Sequence, residues 1–219
     1  MTQIKICGLK RQEDIHMVND LVPDYIGFVF AKSSRQVTPE QAGELKKRLL
    51  PSIKAVGVFV NEEQQKIIQL CETGTIDLVQ LHGDETQAYI QELKNRISCP
   101  VIKAVRVQNS EQIRKAEELS CDYLLLDTYT KGQYGGSGKG FDRTLIPQLK
   151  KPFFLAGGLT SDNVAASIEE CKACAPYAVD VSSAVETAGV KDRQKIEEFI
   201  LRVNRHNCRM SKIRKEVES

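Results

Sequence analysis

Eight short apolar runs punctuate the chain: QIKIC (3–7), YIGFVF (25–30), KAVGVFV (54–60), DLVQL (77–81), PVIKAV (100–105), DYLLLD (122–127), FFLAG (153–157) and AVDVS (178–182). They are rich in Val, Ile, Leu and Phe, bounded by Gly, Pro, Asp or Asn, and read as strands. Their starts recur every 22 to 31 residues, room for a strand, a loop, a helix and a return. In the first run Ile4 and Ile6 alternate with Lys5, as in a strand with one buried face.

The intervals carry helix signals. Thr38-Pro39-Glu40-Gln41 is a capping box with proline at the first helical position, followed by Ala42, Leu45 and Leu49 on one stripe. Asn61 with Gln64 opens a helix bearing Ile67, Ile68 and Cys71. Ser110, Ser161 and Asp192 precede further apolar stripes. Apolar strands alternating with amphipathic helices mean a parallel sheet covered by helices. Eight such units predict a single α/β domain, a (β/α)8 TIM barrel over residues 1–219, with 205–219 a basic C-terminal tail. An open doubly wound sheet would carry GxGxxG after its first strand, whereas CGLKR follows here.

Composition narrows the function. Hydrophobic residues are 41 % and charged residues 27 %, ordinary for a globular protein. A net charge of +2 implies no strong pull toward nucleic acid or membrane, and 6 % aromatics without tryptophan is poor material for stacking bases. No run has the length of a membrane span, and the first residues resemble no leader, so a cytoplasmic protein is expected. Seven scattered cysteines suit reduced thiols. Cys171 and Cys174 form a CxxC without a second pair or a nearby histidine, so one face of a helix is expected rather than a metal site.

In a barrel the carboxyl ends of the strands ring the active site. Those positions hold Cys7, Ser33 to Arg35, Asn61, His82, Arg106, Asp127, Gly157-Gly158, Asp180 and Ser182-Ser183. GGSGKGFD (135–142), AGGLTSDNV (156–164) and DVSSAVE (180–186) suit a phosphate, because glycine allows close approach to backbone N–H groups. Anion loops after strands seven and eight are a barrel habit. Cys7 and Asp127, from strands one and six, are candidates for proton transfer across the mouth. A thiolate is a usable base, and a carboxyl behind Leu124-Leu125-Leu126 a candidate acid.

These segments together resemble the phosphoribosylanthranilate isomerase family of tryptophan biosynthesis. The resemblance runs through KICGLK (5–10), FAKSSRQVTPEQA (30–42), GVFVN (57–61), VQLHGDE (79–85), LLLDTYTKGQYGGSGKGFD (124–142), AGGLTSDNV, AVDVSSAVE (178–186) and Gly189-Val190-Lys191-Asp192, in order along nearly the whole chain. It implies a β/α barrel that performs an Amadori rearrangement of a phosphoribosyl substrate with no cofactor and no metal. It implies Cys7 as general base and Asp127 as general acid. It implies Arg35 beside the anthranilate moiety, and phosphate on the backbone of Gly136, Gly138, Gly157, Gly158, Ser182 and Ser183. His82 and Asp180 complete the expected substrate contacts. A small-molecule substrate, no nucleic acid or membrane partner, and a monomer or homodimer are expected.

Three positions depart from the family pattern: Lys10 where threonine is common, Arg143 where tryptophan is, and Ala184 where glycine is. A methyl at Ala184 is expected either to crowd the phosphate or to shift its backbone contact. Two alternatives stand beside this reading. A related histidine-pathway isomerase relies on an aspartate where Cys7 stands. A barrel that only binds a phosphorylated metabolite tends to lose the acid or the base.

Overall fold

The computed structural model describes residues 1–128 and 140–217. Eight parallel strands close into a barrel in sequence order: β1 (Gln3–Cys7), β2 (Tyr25–Val29), β3 (Lys54–Phe59), β4 (Leu78–Leu81), β5 (Val101–Val107), β6 (Tyr123–Thr128), β7 (Phe153–Leu155) and β8 (Ala178–Val181). Each lies within a residue or two of an apolar run. The helices are α1 (Gln12–Leu21), α2 (Pro39–Lys46), α3 (Gln64–Glu72), α4 (Gln87–Lys94), α5 (Ser110–Glu117), α6 (Val164–Glu169) and α7 (Arg193–Val217). Among the described residues, the interval between β6 and β7 holds only a 3-10 turn, Arg143–Leu145, in place of the expected helix. A two-stranded hairpin, β9 (Glu186–Thr187) with β10 (Val190–Lys191), follows β8 and was not expected.

The cap signals resolve unevenly. Thr38 accepts the Gln41 N–H at 3.2 Å while Gln41 accepts the Thr38 N–H at 2.9 Å, the reciprocal box its spacing predicts. Asp192 accepts the N–H groups of Gln194 and Lys195 at the start of α7. Asn61 does not cap α3. It has a φ of 49° and its side-chain Oδ1 accepts the Asp84 N–H at 2.8 Å, tying loop three to loop four. Asn109, not Ser110, caps α5.

Both faces of every strand are occupied, as a barrel requires. Ile4, Ile6, Ile26, Phe28, Val79, Leu81, Leu124, Leu126, Val179 and Val181 point outward under the helices. Tyr25, Val56, Leu78, Ile102, Leu125, Phe154 and Ala178 fill the barrel interior toward its amino-terminal end. Lys5 therefore does not face solvent: it is 0 % exposed. The parallel register sets it opposite Asp180, and its ammonium lies 3.0 Å from that carboxylate. Cys171 and Cys174 follow α6 rather than lie on it, and their thiols donate to the carbonyls of Ser167 and Pro147. The segment from 205 begins within α7, where Asn207 exchanges hydrogen bonds with the backbone of Thr2.

Candidate active site

Because side chains alternate along a strand, the last inward position of each strand faces the mouth. Cys7 lies two residues beyond Lys5, Asp127 two beyond Leu125, His82 two beyond Gln80, and Ser182 two beyond Asp180. A cavity of about 990 Å³ opens there, lined by Cys7, Arg35, Gln80, His82, Asp127, Gly157, Gly158, Asp180, Ser182 and Ser183 among others. The structure thus brings together the expected residues that it describes. Gly136 and Gly138 lie outside the described residues.

Cys7 is buried beside Gly27, its partner in the β1–β2 register, where an added Cβ would lie 2.6 Å from the sulfur. Glycine there is a requirement of space. Burial pushes the Cys7 thiol above its ordinary value. Lys5, and at longer range Lys191, oppose the rise, while the Asp180 carboxylate adds to it. Burial works against the charge of Lys5 as well, but Asp180 and Cys7 hold its pKa above the usual lysine value. The thiol therefore has in Lys5 a neighbour that favours its charged form.

Asp127 is buried at the end of β6 and accepts the Thr128 N–H at 2.7 Å. His82 Nε2 is 3.4 Å from its other oxygen, and His82 Nδ1 meets the amide of Gln80 at 2.8 Å. The Gln80 contact holds the imidazole with Nε2 toward the carboxyl, although Nε2 makes no hydrogen bond to it. Gly157 has a φ of 83°, and a Cβ there would lie 2.3 Å from Thr128 Oγ1 and 3.0 Å from Asp127 Oδ1. Loop seven can approach the Asp127 carboxyl this closely only as glycine.

Arg35 crosses over Gly8 and meets Glu186 bidentately, Nε to Oε1 at 2.7 Å and Nη2 to Oε2 at 2.8 Å. Lys191 donates to the same carboxylate at 2.6 Å and to the Ser182 carbonyl at 3.0 Å. Burial works against the Glu186 charge, but these two cations outweigh it and hold the carboxyl at about 2. Lys10 donates to the Ser34 carbonyl at 2.7 Å, so the departure at that position tethers loop two. Ala184 lines the cavity within the 3-10 turn Ser183–Val185.

Four contributors escaped the sequence reading: Lys5, Gln80, Glu186 and Lys191. Strand parity was the available signal for the first two, since each precedes a strand-end candidate by two residues. Glu186 and Lys191 meet only through the β9–β10 turn, which no apolar run announces.

A thiol, a carboxyl and glycine-lined loops at the carboxyl mouth of a closed barrel are the arrangement of a β/α-barrel enzyme site. Comparison with known proteins is narrower. Residues 4–202 match the family model for N-(5'-phosphoribosyl)anthranilate (PRA) isomerase. The chain is 47 % identical over 216 residues to the N-(5'-phosphoribosyl)anthranilate isomerase of Lachnoclostridium phytofermentans, covering 93 % of this chain and 98 % of that one. The crystal structure of phosphoribosyl anthranilate isomerase from Thermotoga maritima superposes with a TM-score of 0.83 at 37 % identity, covering 93 % and 99 % of the two chains. Another such isomerase, solved in complex with reduced 1-(o-carboxyphenylamino)-1-deoxyribulose 5-phosphate, gives a TM-score of 0.75 at 35 % identity over 91 % and 97 %. The chain belongs to the phosphoribosylanthranilate isomerase family.

Proposed function

We propose that the chain converts N-(5-phospho-β-D-ribosyl)anthranilate to 1-(2-carboxyphenylamino)-1-deoxy-D-ribulose 5-phosphate in tryptophan biosynthesis, with Asp127 as general acid and Cys7 as general base. The observation that carries the assignment is the pair itself: two buried proton-transfer groups on different strands of one mouth. Asp127 protonates the furanose oxygen, the C1′–O bond breaks, and the anthranilate nitrogen becomes a Schiff base. The Cys7 thiolate removes the C2′ proton, and the electron pair flows to the nitrogen to give an enol-amine. Tautomerisation to the ketone completes the rearrangement. Acid and base act on different atoms of one sugar, so they belong on separate strands.

The phosphate lies on the backbone of Gly157, Gly158, Ser182 and Ser183, all of which line the cavity. Arg35, anchored through Nε and Nη2, turns its remaining N–H groups to the anthranilate carboxylate. His82 and Asp180 hold the sugar hydroxyls. The protein is cytoplasmic, a monomer or homodimer, and takes neither nucleic acid nor membrane as partner. Among the described residues no helix is long and apolar enough to cross a membrane.

The test is turnover of freshly prepared phosphoribosylanthranilate, followed by fluorescence, for wild type and Cys7→Ser. Serine keeps the shape but is a far weaker base. We expect kcat to fall by about a thousandfold or more in the folded variant, with KM within a few-fold. An inactive wild type removes the isomerase reading in favour of a metabolite-binding barrel. A fully active variant moves the base elsewhere.

A further inference from the structure

Arg143 opens the 3-10 turn Arg143–Leu145, which Asp142 caps by accepting the Thr144 N–H at 2.9 Å. Its guanidinium is only 9 % exposed and folds back beneath the loops. Nη1 donates to the Phe141 carbonyl at 2.8 Å and Nη2 to the Gly157 carbonyl at 3.1 Å, with the Phe141 ring centroid 5.6 Å away. Gly140 leaves the space, since a Cβ there would lie 2.7 Å from Nη1. Nε has no hydrogen-bond acceptor among the described residues. The nearest carboxylate, that of Glu170, is 3.9 Å away and half exposed, so the buried charge is only partly compensated.

Arg143 does not line the cavity, whereas Gly157 and Gly158 do. The Gly157 carbonyl and the Gly158 N–H belong to one planar trans peptide and point in opposite directions. A fork that grips the carbonyl from behind therefore aims the N–H into the cavity. A cation on a peptide carbonyl also polarises the amide and makes its N–H a stronger donor. The Gly158 N–H has no acceptor among the described residues.

We infer that Arg143 is a positioning residue for phosphate recognition, fixing and polarising the Gly157–Gly158 peptide so that the Gly158 N–H is presented to the substrate phosphate. The inference rests on the isomerase reading and adds to it a residue at which this chain departs from the family pattern. Arg143 touches neither the sugar nor the anthranilate, so its loss acts on binding and leaves the acid and base in place.

The experiment measures kcat, KM, the inhibition constant of inorganic phosphate and the thermal midpoint for wild type, Arg143→Met and Arg143→Lys. Arg143→Met is expected to raise KM and the phosphate constant together by about tenfold, with kcat within about threefold. Arg143→Lys, whose single ammonium cannot span both carbonyls, recovers part of the loss. A role confined to stability would lower the midpoint and leave both binding constants unchanged, which would overturn the inference. So would a fall in kcat at constant KM. Should neither variant fold, the Gly158 amide resonance of the wild type decides: saturable displacement by inorganic phosphate supports the inference, and an unmoved resonance refutes it. Phosphate effects without turnover sink the isomerase reading alone. Turnover with unaltered phosphate binding in Arg143→Met sinks this inference alone.

Discussion

Replacing Lys5 by methionine removes a wholly buried cation that serves two groups. Its ammonium is 3.0 Å from Asp180 and favours the thiolate of Cys7. At an effective dielectric constant of about 20, opposite charges at that distance attract by about 5 kcal/mol. Removing one partner of a buried pair typically costs about 3–5 kcal/mol, because the other charge is left without compensation. We therefore expect Lys5→Met to lose about 3–5 kcal/mol in urea denaturation at pH 7, a fall in thermal midpoint of roughly 6–20 °C for a chain of this size. The loss is expected to depend on pH. Burial already raises the Asp180 pKa above 3.8. Without Lys5 the deficit is full above the raised folded-state value and vanishes below about 3.8, where the carboxyl is neutral in both states. Lys5→Met/Asp180→Leu, which removes both charges, is expected to recover most of the stability. In the folded single variant the rise of kcat/KM with pH moves to higher pH, because the thiol has lost the neighbour that favours its charged form. A Lys5→Met protein within about 1 kcal/mol of wild type at pH 7, with an unmoved pH–rate profile, would refute the reasoning.

Two further outcomes follow from the geometry. Gly27→Ala sets a methyl 2.6 Å from the Cys7 sulfur. It is expected to cost about 1–3 kcal/mol by urea titration and to lower kcat at least about tenfold with KM little changed, while a wild-type kcat would show that the thiol position is not critical. Glu186 is held at about 2 in the folded protein, against 4.5 for the free side chain. Its contribution to stability is complete above pH 4.5 and lost as pH falls through about 2, so acid unfolding of Glu186→Gln should be flatter in that window; an unchanged acid limb would place the linkage elsewhere.

The eight strands were legible in the chain because a parallel barrel buries both faces of each strand, which leaves compact apolar runs at a regular period. Thr38 and Asp192 were legible for a related reason, since a cap is a local hydrogen bond between residues three or fewer apart. The strand-end rule also located Cys7, His82, Asp127, Gly157, Gly158, Asp180, Ser182 and Ser183, because an end is a position in sequence as much as in space. Other features exist only once the barrel closes. Lys5 looks like a solvent-facing residue until β8 comes round and sets Asp180 opposite it. Asn61 looks like a cap until loop four supplies the Asp84 N–H. Arg35 meets Glu186 across a separation of 151 residues, and Arg143 reaches the Gly157 carbonyl through a fold of the chain that no periodicity describes. Local spacing thus determined where the elements and the reactive side chains stand. Closure of the barrel decided which buried charges neutralise one another, since that depends on register between strands far apart in sequence and on the cost of leaving a charge unpaired away from water.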